Sequence, residues 1–224
     1  MEIKVYDQMT IELMQQPKYP AEIIAIALNL TMKSDPTFVP AKFTEKLGKF
    51  LLDADHTSPL EHINYTILIQ NVSRSFLAQI TRHRMGSFTS ASQHYQYYDD
   101  YPVIMEKYKE EMEFACQTAF TIYRSLVDKG VRKEEARQVL PNAAAVNLLW
   151  TVNARSLINF FRQRLCLRNV KEMRMFAQRL LSLAEPTFPE LFKHVGPQCY
   201  EGKCKQGKMS CGIGPWVKWN KKEK

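Results

Sequence analysis

No apolar run in the 224 residues approaches the ~18 needed to cross a bilayer. The opening MEIKVYDQMT places Glu2 where a secretory signal carries positive charge, and no apolar stretch follows. The expectation is a cytoplasmic chain with no membrane partner. G-x-G-x-x-G and G-x-x-x-x-G-K-[ST] are both missing, which excludes nucleotide binding through a Rossmann turn or a P-loop. G-x-S-x-G is missing too, which argues against the α/β-hydrolase plan. Cysteine is scarce and odd in number. Cys116, Cys166, Cys199, Cys204 and Cys211 make a poor disulfide framework, and two of them fall inside helical patterns. That usage suits a reducing compartment. Finally, the first 73 residues contain no arginine.

What is present describes a globular chain. Apolar residues make up 45% and charged residues 24%, ordinary for a globular protein, and the length allows one sizeable core or two small ones. The formal charge is +8, and its two main carriers are distributed differently. All 12 arginines lie between Arg74 and Arg179, whereas lysines are spread along the chain and thicken at its end. Arginine is the planar, bidentate binder of phosphate and carboxylate. Its concentration points either to surface ion pairs or to a site built for anions.

Residues 2–6 read as a short strand. Pro20 opens a helix reaching Met32, and Pro40 a second reaching Ala54, with Phe43, Leu47, Phe50 and Leu51 on one face. Ile63, Tyr65, Ile67 and Ile69 alternate with Asn64, Thr66, Leu68 and Gln70 as in a half-buried strand. Ser73 is a candidate N-cap for a helix reaching Met85, with a polar loop through Gln93. Helical spacing recurs over 103–129, closed by Gly130. A short helix covers 132–139, and residues 144–152 read as a strand. Asn153 caps a helix over 154–167, and Asn169 with Glu172 forms a capping box for the next one, ended by Pro186 and Pro189. The fold class is α+β, a mixed subunit whose central sheet is flanked by long helices. Residues 1–195 read as one domain and 196–224 as a Cys- and Lys-rich extension.

Three polar clusters stand out. Arg82-His83-Arg84 ends a predicted helix, and a hydroxyl-rich loop follows. Two residues apart, Arg82 and Arg84 face different sides of a helix, so they serve two ligands or two subunits rather than one anion. A basic last turn stabilised by the helix dipole explains the same residues. In the second cluster, Arg155 and Asn159 share one helix face behind Asn153, while Arg164 sits further round. An exposed polar face is the plain alternative. The third, His56, Glu61 and His62 around Ser58, lacks the i, i+4 spacing of zinc helices, so hydrogen bonding rather than metal ligation is expected.

Together these clusters resemble the flavin-dependent thymidylate synthase family. Its hallmark, R-H-R then seven residues then Ser, is matched by Arg82-His83-Arg84 through Ser92. His56, Glu61, His62, Ser73, Arg74 and Gln79 precede it. Glu135, Arg137 and Pro141, then Asn153, Arg155 and Asn159, then Arg164 follow in the family's order. The resemblance implies a homotetramer of mixed α/β subunits with active sites shared between chains. It also implies FAD, with NADPH as reductant and 5,10-methylenetetrahydrofolate as carbon donor, for converting dUMP to dTMP. The implied FAD-binding residues are His56, Ser58, Arg82, His83, Arg84, Ser90, Asn153, Arg155 and Asn159. Those implied for dUMP are Gln79, Arg82, Ser90, Ala91, Ser92, Gln93, His94, Arg137 and Arg164. A guanidinium at the uracil N3–C4=O edge stabilises negative charge while C5 acts as carbon nucleophile, and Arg164 is expected in that catalytic role. For Ser92 only His94 is near as a base, so binding rather than covalent attack is expected.

The chain departs from the family pattern in places. Ser-x-Arg-Tyr reads Ser92-Gln93-His94-Tyr95 here, which puts an imidazole where a guanidinium meets the substrate phosphate. Thr89-Ser90 replace Asn with Glu or Gln, and Asn169-Val170 replace Ala-Gln. These changes motivate a second reading, a paralogous flavoenzyme acting on another pyrimidine nucleotide. A pI near 9.2 with Tyr95, Tyr97 and Tyr98 motivates a third, nucleic-acid binding. Asp99 and Asp100 adjoin those tyrosines and no nucleic-acid motif appears, so no such partner is expected. Cys199, Cys204 and Cys211 with His194 lack the spacing of a zinc site, and a reduced, metal-free tail is expected.

Overall fold

A computed structural model describes residues 3–6, 9–32, 43–97, 101–104, 109–200 and 202–213. The chain divides into two compact units, Met1–Glu12 with Ile67–Trp150, and Leu13–Thr66 with Thr151–Lys224. Its strands are β1 (Ile3–Tyr6), β2 (Thr10–Gln15), β3 (Asn64–Ser73), β4 (Ser87–Ser90), β5 (Tyr101–Ile104) and β6 (Ala145–Asn153). Its helices are α1 (Pro20–Met32), α2 (Glu45–Asp53), α3 (Arg74–Ile80), α4 (Lys109–Asp128), α5 (Lys133–Ala136), α6 (Ala154–Arg164), α7 (Lys171–Ala184) and α8 (Pro189–Phe192). The mixture bears out the α+β reading.

Four strands hydrogen-bond in the order β2-β3-β6-β4. Tyr65, Ile67 and Ile69 on β3 are buried, as are Val146, Leu148, Trp150 and Val152 on β6. In the second unit the Thr66 and Thr151 hydroxyls meet at 3.0 Å. In the first, the Asn71 N–H donates to Asn147 Oδ1 at 2.9 Å. These partners run in opposite senses, so β3 and β6 are antiparallel. The β3 alternation slips at Asn71, where φ is +57°, a left-handed turn of the kind that marks a bulge. Val72 and Ser73 are consequently both buried. Ser73 Oγ then accepts the Phe76 N–H at 3.0 Å and starts α3, the expected cap.

The rest of the first unit packs Phe120 and Tyr123 of α4 with Val103, Cys116, Ala136 and Ala144. Beside it, β1 pairs in parallel with β5, Ile3 opposite Tyr101. In the second unit, Phe160 meets Phe176 and Phe161 meets Phe192 edge-on at 5.7 and 6.2 Å. Thr187 Oγ1 donates to the Ala184 carbonyl, so the Tyr65 hydroxyl, 2.8 Å away, is the donor to Thr187. Where α2 crosses α8, a Cβ on Gly48 would lie 2.1 Å from the Glu190 carbonyl oxygen, so only glycine permits the approach.

Several element boundaries differ from expectation. α3 stops at Ile80, because Arg82 and His83 N–H groups turn back to Gln79 and Ile80 carbonyls, so Arg82-His83-Arg84 form a turn and not a helix end. The expected polar loop contains β4, recruited by pairing with β6. Ala91 N–H donates to the Asn147 carbonyl, and Phe88 stacks on Trp150 at 5.6 Å. α2 starts at Glu45 under a Thr44 cap, and residues 40–42 lie outside the described residues. Val103 and Ile104 belong to β5 rather than to the long helix, which begins at Lys109. α6 ends at Arg164, short of 167. No side chain caps α7; Asn169 instead donates to the Gln163 and Cys166 carbonyls and accepts from Arg164. β2 was not anticipated.

Gly48→Ala is expected to lower unfolding stability by about 1–3 kcal/mol through overpacking, and Ser73→Ala by about 1 kcal/mol through the lost cap, both read from urea midpoints. Burial pushes the Tyr65 phenol from 10.0 up to about 12. The folded state therefore holds this proton more tightly. Its contribution is full below pH 10 and is lost as pH rises toward 12. Tyr65→Phe is expected to flatten that alkaline fall in the urea midpoint.

Candidate active site

The residues singled out in the sequence fall into two sets, one in each unit. In the first unit Gln79 sits half-buried near the end of α3, Arg82 and Arg84 are exposed in the turn, and His83 is half-buried. β4 carries Ser90 to the loop Ala91–Tyr95. Gln93 is buried there while Ser92 and His94 are exposed. The loop is folded on Ser92. Its hydroxyl accepts the His94 N–H at 3.2 Å, and its carbonyl accepts the Tyr95 and Gln96 N–H groups. With Ala91 bonded to Asn147, most of the loop amides are engaged, and among the described residues those of Ser92 and Gln93 have no backbone acceptor.

Two bonds fasten this loop to α5. His94 Nδ1 lies 2.9 Å from Glu134 Oε2, and Lys133 Nζ donates to the Tyr95 carbonyl at 3.3 Å. Arg132 bridges Glu134 and Glu135 at 2.7 Å each. Arg137 follows α5, and its Nε donates to the Glu134 carbonyl at 3.1 Å. Ser92, His94 and Arg137 are thus brought together around Glu134, a residue that sequence reasoning missed. His94 and Arg132 meet the two carboxylates there, Lys133 and Arg137 donate to backbone carbonyls, and Arg137 is exposed.

In the second unit a 3-10 turn, Ser58–His62, lies against α6. Ala154 N–H donates to the Ile63 carbonyl at 2.7 Å, and Asn153 Oδ1 caps the helix by accepting the Ser156 N–H at 2.9 Å. Glu61 pairs with Arg155 at 2.5 Å, which ties the Ser58–His62 turn to the first turn of α6. The exposed His56 ring lies 5.9 Å from Phe50. Arg155 and Asn159 are both exposed on one face, and Asn159 Oδ1 accepts from Gln163 at 3.1 Å.

Arg164 is separated from that face. Half-buried at the end of α6, it donates to Asn169 at 3.3 Å and lines a cavity of about 350 Å³ with Arg162, Arg168, Cys199, Cys204 and Lys205. Asn159 lines a different cavity of about 500 Å³ with Asp53, His194 and Tyr200. Tail residues 197–199 and 204–206 therefore form part of the wall beside Arg164, and no spacing or periodicity in the sequence signals it. Among the described residues no group of three or more His, Cys, Asp or Glu side chains is arranged to hold a metal ion. No described helix is long and apolar enough to cross a membrane.

The family model described as thymidylate synthase complementing protein matches residues 12–190. The flavin-dependent thymidylate synthase of Geobacter sulfurreducens is 36% identical over 225 aligned positions, covering 94% of this chain and 97% of the relative. That of Clostridium tetani is 32% identical, covering 90% and 92%. Among solved structures, the UMP/dUMP methylase PolB of Streptomyces cacaoi with 5-bromo-dUMP shares the fold at TM-score 0.74 and 22% identity, covering 85% and 96%. Thymidylate Synthase X of Helicobacter pylori with FAD and dUMP does so at TM-score 0.70 and 21% identity, covering 83% and 98%. A family-model match over residues 12–190, with curated relatives 36% and 32% identical over nine-tenths or more of the sequence, places this chain in the flavin-dependent thymidylate synthase family.

Proposed function

We propose that the chain catalyses reductive methylation of dUMP to dTMP, with FAD as cofactor, NADPH as reductant and 5,10-methylenetetrahydrofolate as carbon donor. It does so as a cytoplasmic homotetramer whose active sites draw on more than one chain. The observation that carries this reading is the fastening of the His94 loop to α5. It holds an imidazole and the Arg137 guanidinium on one surface, as a nucleotide phosphate requires.

The donor set in the second unit fits FAD chemically. The Arg155 guanidinium, Asn159 amide, Ser58 hydroxyl and His56 imidazole are exposed on fixed backbone, and they supply donors for phosphate oxygens and flavin carbonyls. Arg82, His83, Arg84 and Ser90 supply further donors, while the Asn153 oxygen is committed to its cap, leaving only its amide N–H groups. FAD, when bound, supplies the hydride. Arg164 stabilises the negative charge at the uracil N3–C4=O edge, because a guanidinium stays charged at any working pH. Arg137, His94 and the amides of Ser92 and Gln93 hold the phosphate, with Gln79 and Ala91 flanking the nucleotide. Glu134 keeps the His94 ring in place.

Purified protein is expected to show flavin absorbance that bleaches with NADPH and returns on adding dUMP and methylenetetrahydrofolate, with dTMP as product. Protein that takes up no FAD and makes no dTMP overturns the reading, and methylation of UMP or dCMP instead of dUMP replaces its substrate. Arg164→Ala is expected to lower kcat by about 10²–10³ with FAD retained, as for a lost donor to a developing anion. Glu134→Gln is expected to raise the KM for dUMP about tenfold, a loss near 1.4 kcal/mol, with kcat little changed.

A further inference from the structure

Arginines cluster where α6 gives way to α7. Arg162 and Arg164 stand half-buried in the last turn of α6, and Arg168 is exposed in the connection that follows. With Lys205 they line the cavity of about 350 Å³, and among the described residues no carboxylate lines it. Its other side chains are amides, thiols and one proline. A basic last turn favoured by the helix dipole accounts for Arg162 and Arg164, but not for Arg168 and Lys205 beyond the helix. Elsewhere this chain pairs such groups, Arg155 with Glu61, Arg132 with Glu134 and Glu135, and Lys49 with Asp53. The neighbouring cavity, which Arg162 and Lys205 also line, has Asp53 and Asp55 in its wall. The space beside Arg164 thus carries positive charge that an anionic ligand would balance.

The backbone carrying these cations is pinned before any ligand arrives. Asn169 donates to the Gln163 and Cys166 carbonyls and accepts from Arg164. Arg174 Nη1 donates to the Leu167 carbonyl at 3.1 Å, which holds the residue just before Arg168. The Gln198 N–H donates to the Arg162 carbonyl at 3.0 Å and ties the tail to the same corner. A ligand therefore meets a frame that gives up little chain freedom on binding. The volume lies near the lower end of ligand cavities, which suits a short acidic chain rather than a whole dinucleotide.

In the proposed reaction dUMP sets its phosphate on Arg137 and His94 and its uracil C4=O edge on Arg164. The anion beside Arg164 then belongs to another ligand. C5 adjoins C4, so the carbon donor has to reach this side of the uracil, whereas the reductant has only to reach the flavin. Methylenetetrahydrofolate ends in a glutamyl group with two carboxylates, and each further γ-linked glutamate adds one. We propose that the cavity beside Arg164 binds the glutamyl carboxylates of the donor, with Arg168 and Lys205 selecting forms that carry several glutamates. The identity of the ligand rests on the proposed reaction; the preference for an acidic chain rests on the cavity alone.

FAD-loaded protein with dUMP is titrated calorimetrically with tetrahydrofolate carrying one or three glutamates. A parallel titration uses p-aminobenzoyl-γ-triglutamate, which has no pteridine. The triglutamate form of tetrahydrofolate is expected to bind at least about tenfold tighter than the monoglutamate, an advantage that shrinks in high salt. Arg168→Ala and Lys205→Ala are each expected to lower triglutamate affinity about fivefold, as for an exposed ion pair, and monoglutamate affinity less. Arg168→Lys, which keeps the charge, retains most of the affinity. Equal affinity for the two forms, or unchanged triglutamate affinity in both alanine variants, overturns the proposal. Loss of dUMP affinity in those variants instead of donor affinity makes a nucleotide phosphate the occupant and overturns it as well. If dTMP is made without discrimination by glutamate number, the reaction stands and this inference falls. If the protein takes up no FAD and makes no dTMP, the reaction falls. Binding of p-aminobenzoyl-γ-triglutamate that Arg168→Ala weakens then still supports an acidic-chain site, and no binding removes that too.

Discussion

Antiparallel pairing of β3 with β6 is the constraint on which the rest depends. Each strand buries alternate apolar side chains, so the register is held by two hydrophobic faces as well as by backbone bonds. A slip of one residue would turn Tyr65, Ile67 and Trp150 outward. Each strand also runs directly into a helix whose first turn a polar side chain caps, Ser73 for α3 and Asn153 for α6. The arginine turn and the Arg155–Asn159 face therefore begin at positions that this pairing sets.

The bulge at Asn71 shows how a local backbone choice reaches the chemistry. One left-handed residue interrupts the alternation, and Val72, which the 65-67-69 series would turn outward, is buried beside Ser73. Held there, Ser73 has no competing water and caps α3 from within the core. The helix is short, and its end releases Arg82-His83-Arg84 into a turn whose two arginines are exposed. A turn fits two arginines serving different ligands better than a continuous helix would, because neither is held to the helix surface.

The polar sets are built by carboxylates as much as by cations. Glu61 orients Arg155, and the Glu134 carboxylate holds His94 and Arg132 while its backbone carbonyl accepts from Arg137. Exposed ion pairs contribute little to stability, commonly below ~1 kcal/mol. Their use here is positional, since a guanidinium held by one bond has fewer rotamers to give up when an anion arrives. His94 illustrates the point, because an imidazole is shorter than a guanidinium and needs a partner to hold its place.

Periodicity made β3, β6, α1, α6 and α7 legible, since each carries an apolar pattern with a period of 2 or 3.6, and α1 and α6 add a proline or a cap at their start. The side chains at 155, 159 and 164 were likewise readable as lying on different parts of one helix. β4 was not legible, because four residues rich in Ser and Thr become a strand only when β6 offers a partner. Nor was the partnering of His94 with Glu134, which are forty residues apart in the chain. The wall beside Arg164 was hidden for the same reason, as the tail that forms it has neither pattern nor motif. Local spacing determines which face of an element a residue occupies; which two faces meet depends on long-range packing, and only the tertiary structure decides that.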